Sequence, residues 1–166
     1  MATHLNRRRF IKRLGKTASG ILVAQAGFPY LLKANQDRKL GIALVGLGYY
    51  STSVLAPALQ LTEECELRGI VTGSPEKIPV WQKNYGIKDQ NVYNYENMHE
   101  VADNPDIDVI YIVLPTSMHA QYSIIAANAG KHVWCEKPMA ISAKECQSII
   151  DACNKNKVKL SIGYRM

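Results

Sequence analysis

LGIALVGLGYYS, residues 40–51, is a short apolar run followed by two glycines and then a small polar residue. Apolar residues recur at helical spacing over residues 54–61, so the stretch predicts a buried strand, a tight turn and a helix. In such a unit the first glycine makes the turn, the second lets the backbone approach a pyrophosphate, and a small third residue lets the helix pack closely. Gly46, Gly48 and Ser51 occupy these places. We expect the loop, including Leu47 and Tyr49, to bind a dinucleotide at the helix N-terminus.

The rest of the chain alternates between strand and helix patterns. The run 109–114 is apolar without alternation, as is typical of a central parallel strand buried on both faces. Ser74 and Pro75 are expected to begin one helix, and Ser142 with Glu145 has capping-box spacing at the start of another. We predict strands at 40–45, 66–72, 92–93, 109–114, 132–135 and 158–162, and helices at 75–85, 95–102, 118–129 and 142–154. The fold class is therefore α/β, a Rossmann-type doubly wound parallel sheet.

The end of the second strand bears on cofactor choice. NAD-preferring sites place an Asp or Glu there to bind the ribose hydroxyls, but this chain has Val-Thr-Gly-Ser at 71–74. Thr72 and Ser74 can donate hydrogen bonds to a 2′-phosphate, and Lys77 can supply positive charge. These residues favour NADP, with NAD remaining possible. Lys77 could equally be a solvated helix lysine.

Two further segments carry a family resemblance: Leu114-Pro115-Thr116-Ser117-Met118-His119, and GKHVWCEKP at 130–138. Together with the glycine loop they resemble the Gfo/Idh/MocA oxidoreductases, whose hallmark is Glu-Lys-Pro. The stretches VGLG at 45–48, GSPEK at 73–77, CEKPM at 135–139 and IGYR at 162–165 are most similar to the glucose–fructose oxidoreductase type within that family. The resemblance covers about residues 40–166.

The resemblance implies roles for individual residues. Lys137 would be catalytic, orienting or polarising the reacting sugar hydroxyl beside the nicotinamide, with Glu136 next to it. Leu114, Pro115 and Thr116 would line the nicotinamide side, although many relatives have Asn where Thr116 stands. His119 would contact the cofactor ribose or the substrate, or else act as a helix cap or packing residue. Pro138 would follow a cis peptide bond.

The family's second domain, an α+β domain that builds the sugar pocket and supplies the acid/base residue, is expected to be absent from this chain. We therefore interpret the chain as the nucleotide-binding domain of a truncated NADP-dependent sugar oxidoreductase. Two alternatives remain: a non-catalytic NAD(P)-binding remnant, and an NAD-dependent glycosidase of the same family. Full-length family members would form homo-oligomers.

The basic residues are concentrated near the N-terminus. Residues 1–39 carry nine Lys/Arg and one acid, a net charge of +8, whereas the remainder has eleven bases and thirteen acids, a net charge of −2. The folded part therefore lacks the basic excess of a nucleic-acid-binding surface. The sequence NRRRFIK at 6–12 resembles a twin-arginine export motif, and a weakly apolar run at 17–26 ends in Ala24-Gln25-Ala26.

We predict a signal peptide at 1–26, a linker at 27–39 and the Rossmann domain at 40–166, which places the protein in the periplasm or otherwise outside the cytoplasm. Cleavage is expected after Ala26 or Ala34. The alternative is a basic amphipathic helix on an acidic surface. The apolar run is too short for a membrane span. The four cysteines lack the paired spacing of a metal site, and we expect buried thiols, with a disulfide as the alternative.

Overall fold

Six parallel strands form a single sheet in the computed structural model, which describes residues 38–164. The strands are Leu40–Val45 (β1), Cys65–Val71 (β2), Val92–Tyr93 (β3), Val109–Ile112 (β4), His132–Cys135 (β5) and Leu160–Ile162 (β6). Their order across the sheet is β3-β2-β1-β4-β5-β6, and every neighbouring pair is parallel. This is the strand order of dinucleotide-binding doubly wound folds, so the predicted fold class is confirmed.

Within residues 38–164, four helices of the α or π type connect the strands. Helix α1 is π-helical over Ser51–Leu55 and α-helical over Ala56–Leu59, while α2 is Ile78–Tyr85, α3 is Thr116–Asn128 and α4 is Ala143–Lys155. Pro57 has no N–H to donate within α1, and the backbone adopts the wider turn in which Ala56 N–H donates to the Ser51 carbonyl. At α4 the Ser142 hydroxyl accepts from Glu145 N–H at 3.2 Å, and Glu145 Oε2 accepts from Ile141 N–H at 3.2 Å.

Two of these helices pack on each face of the sheet. On β1, Ala43 and Val45 face the cluster that contains α3 and α4, whereas Ile42 and Leu44 face the cluster that contains α1 and α2. All four side chains are fully buried. This complete burial explains why the strand has no polar alternation.

Two predicted helices differ from those observed. Residues 75–85 form a 3₁₀ turn, Pro75–Lys77, followed by α2, because Pro79 cannot donate a helical hydrogen bond to the turn before it. The Ser74 side chain makes no cap hydrogen bond. The helix predicted at 95–102 is wrong: a 3₁₀ helix covers Met98–Asp103 instead.

Side-chain hydrogen bonds explain the missing helix. Asn94 Oδ1 accepts from the N–H groups of Glu96 and Asn97, both at 2.8 Å, and Asn97 Oδ1 accepts from Asn94 N–H at 2.8 Å. These bonds hold residues 94–97 in a turn that competes with an α-helix. Strand boundaries shift by up to two residues: β2 starts one residue early, β4 stops at Ile112, and β6 begins at Leu160.

All four cysteines are free, with Cys135 and Cys153 buried. Over residues 38–164, no helix is long and apolar enough to cross a membrane. The predicted signal peptide and most of the predicted linker lie outside the described residues.

Candidate functional site at the carboxyl edge of the sheet

The glycine loop leaves β1 at the centre of the sheet, between β2 and β4. Chain order reverses here, which is where open α/β sheets bind ligands. Gly46 has φ of 90°, and a Cβ atom on it would lie 2.5 Å from the Val113 carbonyl oxygen. The buried Ser51 hydroxyl donates to the Gly46 carbonyl, so the third small residue of the motif also holds the turn.

Gly48 faces open space. A Cβ atom built on it meets nothing within 4 Å, in contrast to Gly46. Gly48 and Tyr49 line two cavities, of about 650 and 440 Å³, one on either side of the loop. The backbone at Gly48 is therefore open to a group that spans both cavities, as the pyrophosphate of a dinucleotide would.

The larger cavity brings together residues that are distant in the sequence. Leu114 and Pro115 follow β4, Glu136 and Lys137 follow β5, and all four line it with Gly48 and Tyr49. Thr116 begins α3 and is not among its lining residues. These loops meet because the carboxyl ends of parallel strands lie at one edge of a sheet.

The smaller cavity contains the residues relevant to cofactor choice. Lys77 lines it together with Leu47, and Lys77 Nζ donates to the Leu47 carbonyl at 2.9 Å. Glu76, for which the sequence predicted no role, lines this cavity as well. Thr72 and Ser74 line neither cavity. Thr72 is 5% exposed, and its hydroxyl accepts from Ser74 N–H at 3.0 Å.

The Glu-Lys-Pro segment has a defined geometry. The Lys137–Pro138 peptide is cis, as the resemblance implied, and the Lys137 side chain is exposed at the cavity. Tyr111 on β4 donates its hydroxyl to Glu136 Oε1 at 2.6 Å. Burial, and then the Glu136 carboxylate, raise the pKa of Tyr111 above its ordinary value, so its hydroxyl stays protonated.

His119 lies behind the cavity. It is 1% exposed, with Nδ1 2.8 Å from the Pro138 carbonyl oxygen and Nε2 2.7 Å from that of Leu114. Both nitrogens are thus engaged by backbone carbonyls, an arrangement that favours a structural role over contact with cofactor or substrate.

Cys135 directly precedes Glu136 at the end of β5. Burial raises the pKa of its thiol to about 11. The thiol therefore stays protonated near neutral pH, which disfavours thiolate chemistry beside the site. In residues 38–164 there is no cluster of three or more His, Cys, Asp or Glu side chains able to hold a metal ion.

Several cavity residues were not predicted. The larger cavity is also lined by Tyr50, Gly163 and Tyr164. Tyr111 does not line it but donates its hydroxyl to Glu136, which does. The register of β4 against β5 pairs Tyr111 with Trp134, two residues before Glu136. A parallel pairing of the two apolar runs would have placed Tyr111 near Glu136 from sequence alone.

The residues present fit a dinucleotide, because the loop has an open position at Gly48 between two cavities. The match to the family model described as "Oxidoreductase family, NAD-binding Rossmann fold" covers residues 40–164.

Similarity to individual known proteins supports the same family. A D-xylose 1-dehydrogenase [NADP(+)] from Haloarcula marismortui is 28% identical over 78% of this chain and 36% of its own length. An inositol 2-dehydrogenase from Salmonella typhimurium is 38% identical over 43% of this chain and 21% of its own. The crystal structure of aldose-aldose oxidoreductase from Caulobacter crescentus, complexed with glycerol, is 45% identical, with a TM-score of 0.75 over 76% of this chain and 38% of that one.

The match thus spans little more than a third of the D-xylose dehydrogenase and of the aldose-aldose oxidoreductase, and about a fifth of the inositol dehydrogenase. The segment that matches is the part that holds the glycine loop, the two cavities and the Glu-Lys-Pro turn. The chain belongs to the Gfo/Idh/MocA oxidoreductase family and carries its NAD(P)-binding Rossmann domain.

Proposed function

We propose that this chain is the nucleotide-binding part of an exported, NADP-dependent sugar oxidoreductase of the glucose–fructose oxidoreductase type. The observation that carries the proposal is the pair of cavities meeting at Gly48, with Lys77 in one and Lys137 in the other. A dinucleotide laid across Gly48 would have one end at each lysine. A bound nicotinamide would accept a hydride in its oxidised form and donate one in its reduced form.

The chain's own residues have separate tasks in this proposal. Gly46 and Gly48 shape a backbone cradle for the pyrophosphate. Leu114 and Pro115 form an apolar wall that excludes water from the nicotinamide side. Lys137 presents three N–H donors to sugar hydroxyl oxygens and orients the reacting carbon.

The preference for NADP rests on Lys77. Its ammonium group already lies at the glycine loop, 2.9 Å from the Leu47 carbonyl, where it can pair with a ribose 2′-phosphate. Glu76 in the same cavity opposes this preference, because a carboxylate repels the phosphate and can bind free ribose hydroxyls. Substituting Lys77 and substituting Glu76 are therefore expected to change the affinity for NADP in opposite directions.

Lys77→Ala is expected to weaken NADP binding by about 10- to 100-fold, the loss of one charge-assisted hydrogen bond, and NAD binding by less than about threefold. Glu76→Gln is expected to leave NADP binding equal or tighter. Dissociation constants for both cofactors, measured by fluorescence titration of the reduced forms, check this. Lys83→Ala, an exposed lysine on α2, is the matched control. Equal losses for NADP and NAD in Lys77→Ala would contradict the assignment.

An aldose substrate is supported by the 45% identity to an aldose-aldose oxidoreductase. Lys137 supplies a sugar-orienting group on this chain, and the acid/base residue is expected on the family's second domain. The assay follows NADPH formation after an aldose is added to the chain with NADP⁺. Reduction of NADP⁺ supports an active oxidoreductase. Cofactor binding without reduction of NADP⁺ supports the alternative of a non-catalytic NAD(P)-binding remnant.

Export is supported by the motif at 6–12 and by the concentration of positive charge in residues 1–39. Residues 1–39 fused to a reporter are expected to direct it out of a bacterial cytoplasm through the twin-arginine route. Replacing Arg7 and Arg8 together by Lys is expected to retain the reporter inside, while Lys12→Arg, which keeps the charge outside the arginine pair, is expected to leave export unchanged. Equal export by the double variant, or export in cells lacking that route, would contradict the proposal.

A further inference from the structure

The backbone on both sides of Lys137 is fixed by side chains from elsewhere in the fold. Glu136, the preceding residue, is bound by Tyr111 of β4, and Pro138, the following residue, is bound by His119 of α3. The geometry points to Tyr111 and His119 as positioning residues that hold Lys137 toward the larger cavity. This inference rests on the proposed function, since it assigns a purpose to the placement of Lys137.

On the first side, two hydrogen bonds hold the Glu136 carboxylate. Oε1 accepts from the Tyr111 hydroxyl at 2.6 Å, and Oε2 accepts from the Lys137 N–H at 3.3 Å. Gly163 leaves room for it, because a Cβ there would lie 2.9 Å from Oε1. The Tyr111 ring is itself held edge-on by Trp134, with ring centroids 5.7 Å apart. A carboxylate placed in this way keeps the Lys137 backbone in one orientation.

On the second side, His119 joins two loops of the same cavity. Its Nδ1 contacts the Pro138 carbonyl and its Nε2 the Leu114 carbonyl, so one buried ring links the Glu-Lys-Pro turn to the wall formed by Leu114 and Pro115. Carbonyl oxygens only accept hydrogen bonds, so a neutral ring donates to one of them and a doubly protonated ring to both. The doubly protonated ring therefore links both loops by hydrogen bonds, whereas the neutral ring is bonded to one loop and packs against the other.

Lys137 itself remains exposed, with a flexible side chain that the contacts on residues 136 and 138 do not restrain directly. Fixing the backbone limits the volume that its ammonium group can sample. Groups held in this way lose less freedom when a substrate binds, which is the usual purpose of supporting contacts around a functional residue.

Tyr111→Phe is the deciding variant, because it removes one hydroxyl and keeps the ring against Trp134. The ligand-free readout is the exchange rate of the Lys137 amide, measured by NMR. We expect exchange of the Lys137 amide to become about fivefold faster relative to exchange in the β1 core, as for the loss of one hydrogen bond, with the melting temperature lowered by no more than a few degrees. Tyr85→Phe, whose ring packs on Trp81 at 5.1 Å, is the matched control and is expected to change nothing.

The second readout is chemical. Acetic anhydride labels lysines, and the labelling of Lys137 relative to Lys144 on α4 is measured by mass spectrometry with and without NADPH. NADPH is expected to reduce the labelling of Lys137 severalfold in the original chain. In Tyr111→Phe the reduction is expected to be less than about twofold, because the hydrogen bond from Tyr111 to Glu136 is lost. His119→Ala is expected to lose protection too, and His119→Gln, which keeps a donor, to restore part of it.

The two readouts separate the two proposals. If NADPH neither binds nor protects any lysine, the proposed function fails, while the ligand-free exchange rate still decides the positioning role. Lys137 exchange in Tyr111→Phe within about twofold of the original chain would overturn the inference. So would an equal acceleration in Tyr85→Phe, or full NADPH protection of Lys137 in both Tyr111→Phe and His119→Ala.

Discussion

Gly48→Ala is expected to weaken dinucleotide binding strongly without destabilising the protein. The added methyl meets no protein atom within 4 Å, so the fold has no reason to change. The same methyl occupies the cradle where the two cavities meet, where the pyrophosphate must approach the backbone. An overlap there costs about 3 kcal/mol, so we expect NADPH to bind at least about 100-fold more weakly.

The measurement is a fluorescence titration with NADPH beside a urea unfolding curve. Gly130→Ala is the matched control, because Gly130 also has open space around it but lies before β5, at the opposite edge of the sheet, with φ of 72°. That variant is expected to lose about 1 kcal/mol of stability from backbone strain and no binding. If Gly48→Ala binds NADPH as tightly as the original chain, the cofactor does not cross the loop at this residue.

Gly46→Ala is expected to destabilise the fold itself. Its φ of 90° is unfavourable for a residue with a side chain, and its Cβ would lie 2.5 Å from the Val113 carbonyl oxygen and 2.7 Å from Leu114 Cδ2. The Val113 backbone is not free to move, because its N–H donates to the Val45 carbonyl at 2.9 Å. Strain and overlap together are expected to cost about 3 to 5 kcal/mol.

Urea unfolding gives that free energy directly, and for a domain of this size a loss of 3 kcal/mol lowers the melting temperature by roughly 10 °C. Ser53→Ala, an exposed substitution in the next helix, is the control and is expected to change stability by less than about 0.5 kcal/mol. A loss below about 1 kcal/mol in Gly46→Ala would falsify the close approach of the glycine turn to β4.

Much of the fold was predictable because its signals are local. Strand β1 has the predicted bounds, since an apolar run between turn residues reports burial on both faces. Strand β5 also has the predicted bounds, although its side chains alternate between half-buried and buried. The glycine loop was predictable for the same reason: two glycines after a buried strand are adjacent in sequence and in space. The resemblance then identified the Glu-Lys-Pro turn.

Other features depend on contacts between distant residues. Three side-chain hydrogen bonds hold residues 94–97 in a turn and prevent the predicted helix, and the spacing of apolar residues does not reveal them. Tyr111 contacts Glu136 only through the pairing of β4 with β5, and His119 needs both the Leu114 and Pro138 loops in place. Glu76 directly precedes Lys77 in the sequence, but only the folded turn shows that both side chains line one cavity.

The central claim is that the carboxyl edge of the sheet binds NAD(P) across Gly48. An NMR titration of the isotope-labelled chain with NADPH tests it most directly. Amide signals are expected to move at 46–50, 113–114 and 136–137, with smaller changes near Lys77. Signals that stay still at millimolar NADPH, or that move around Arg68 and Asp106 at the opposite edge, would contradict it.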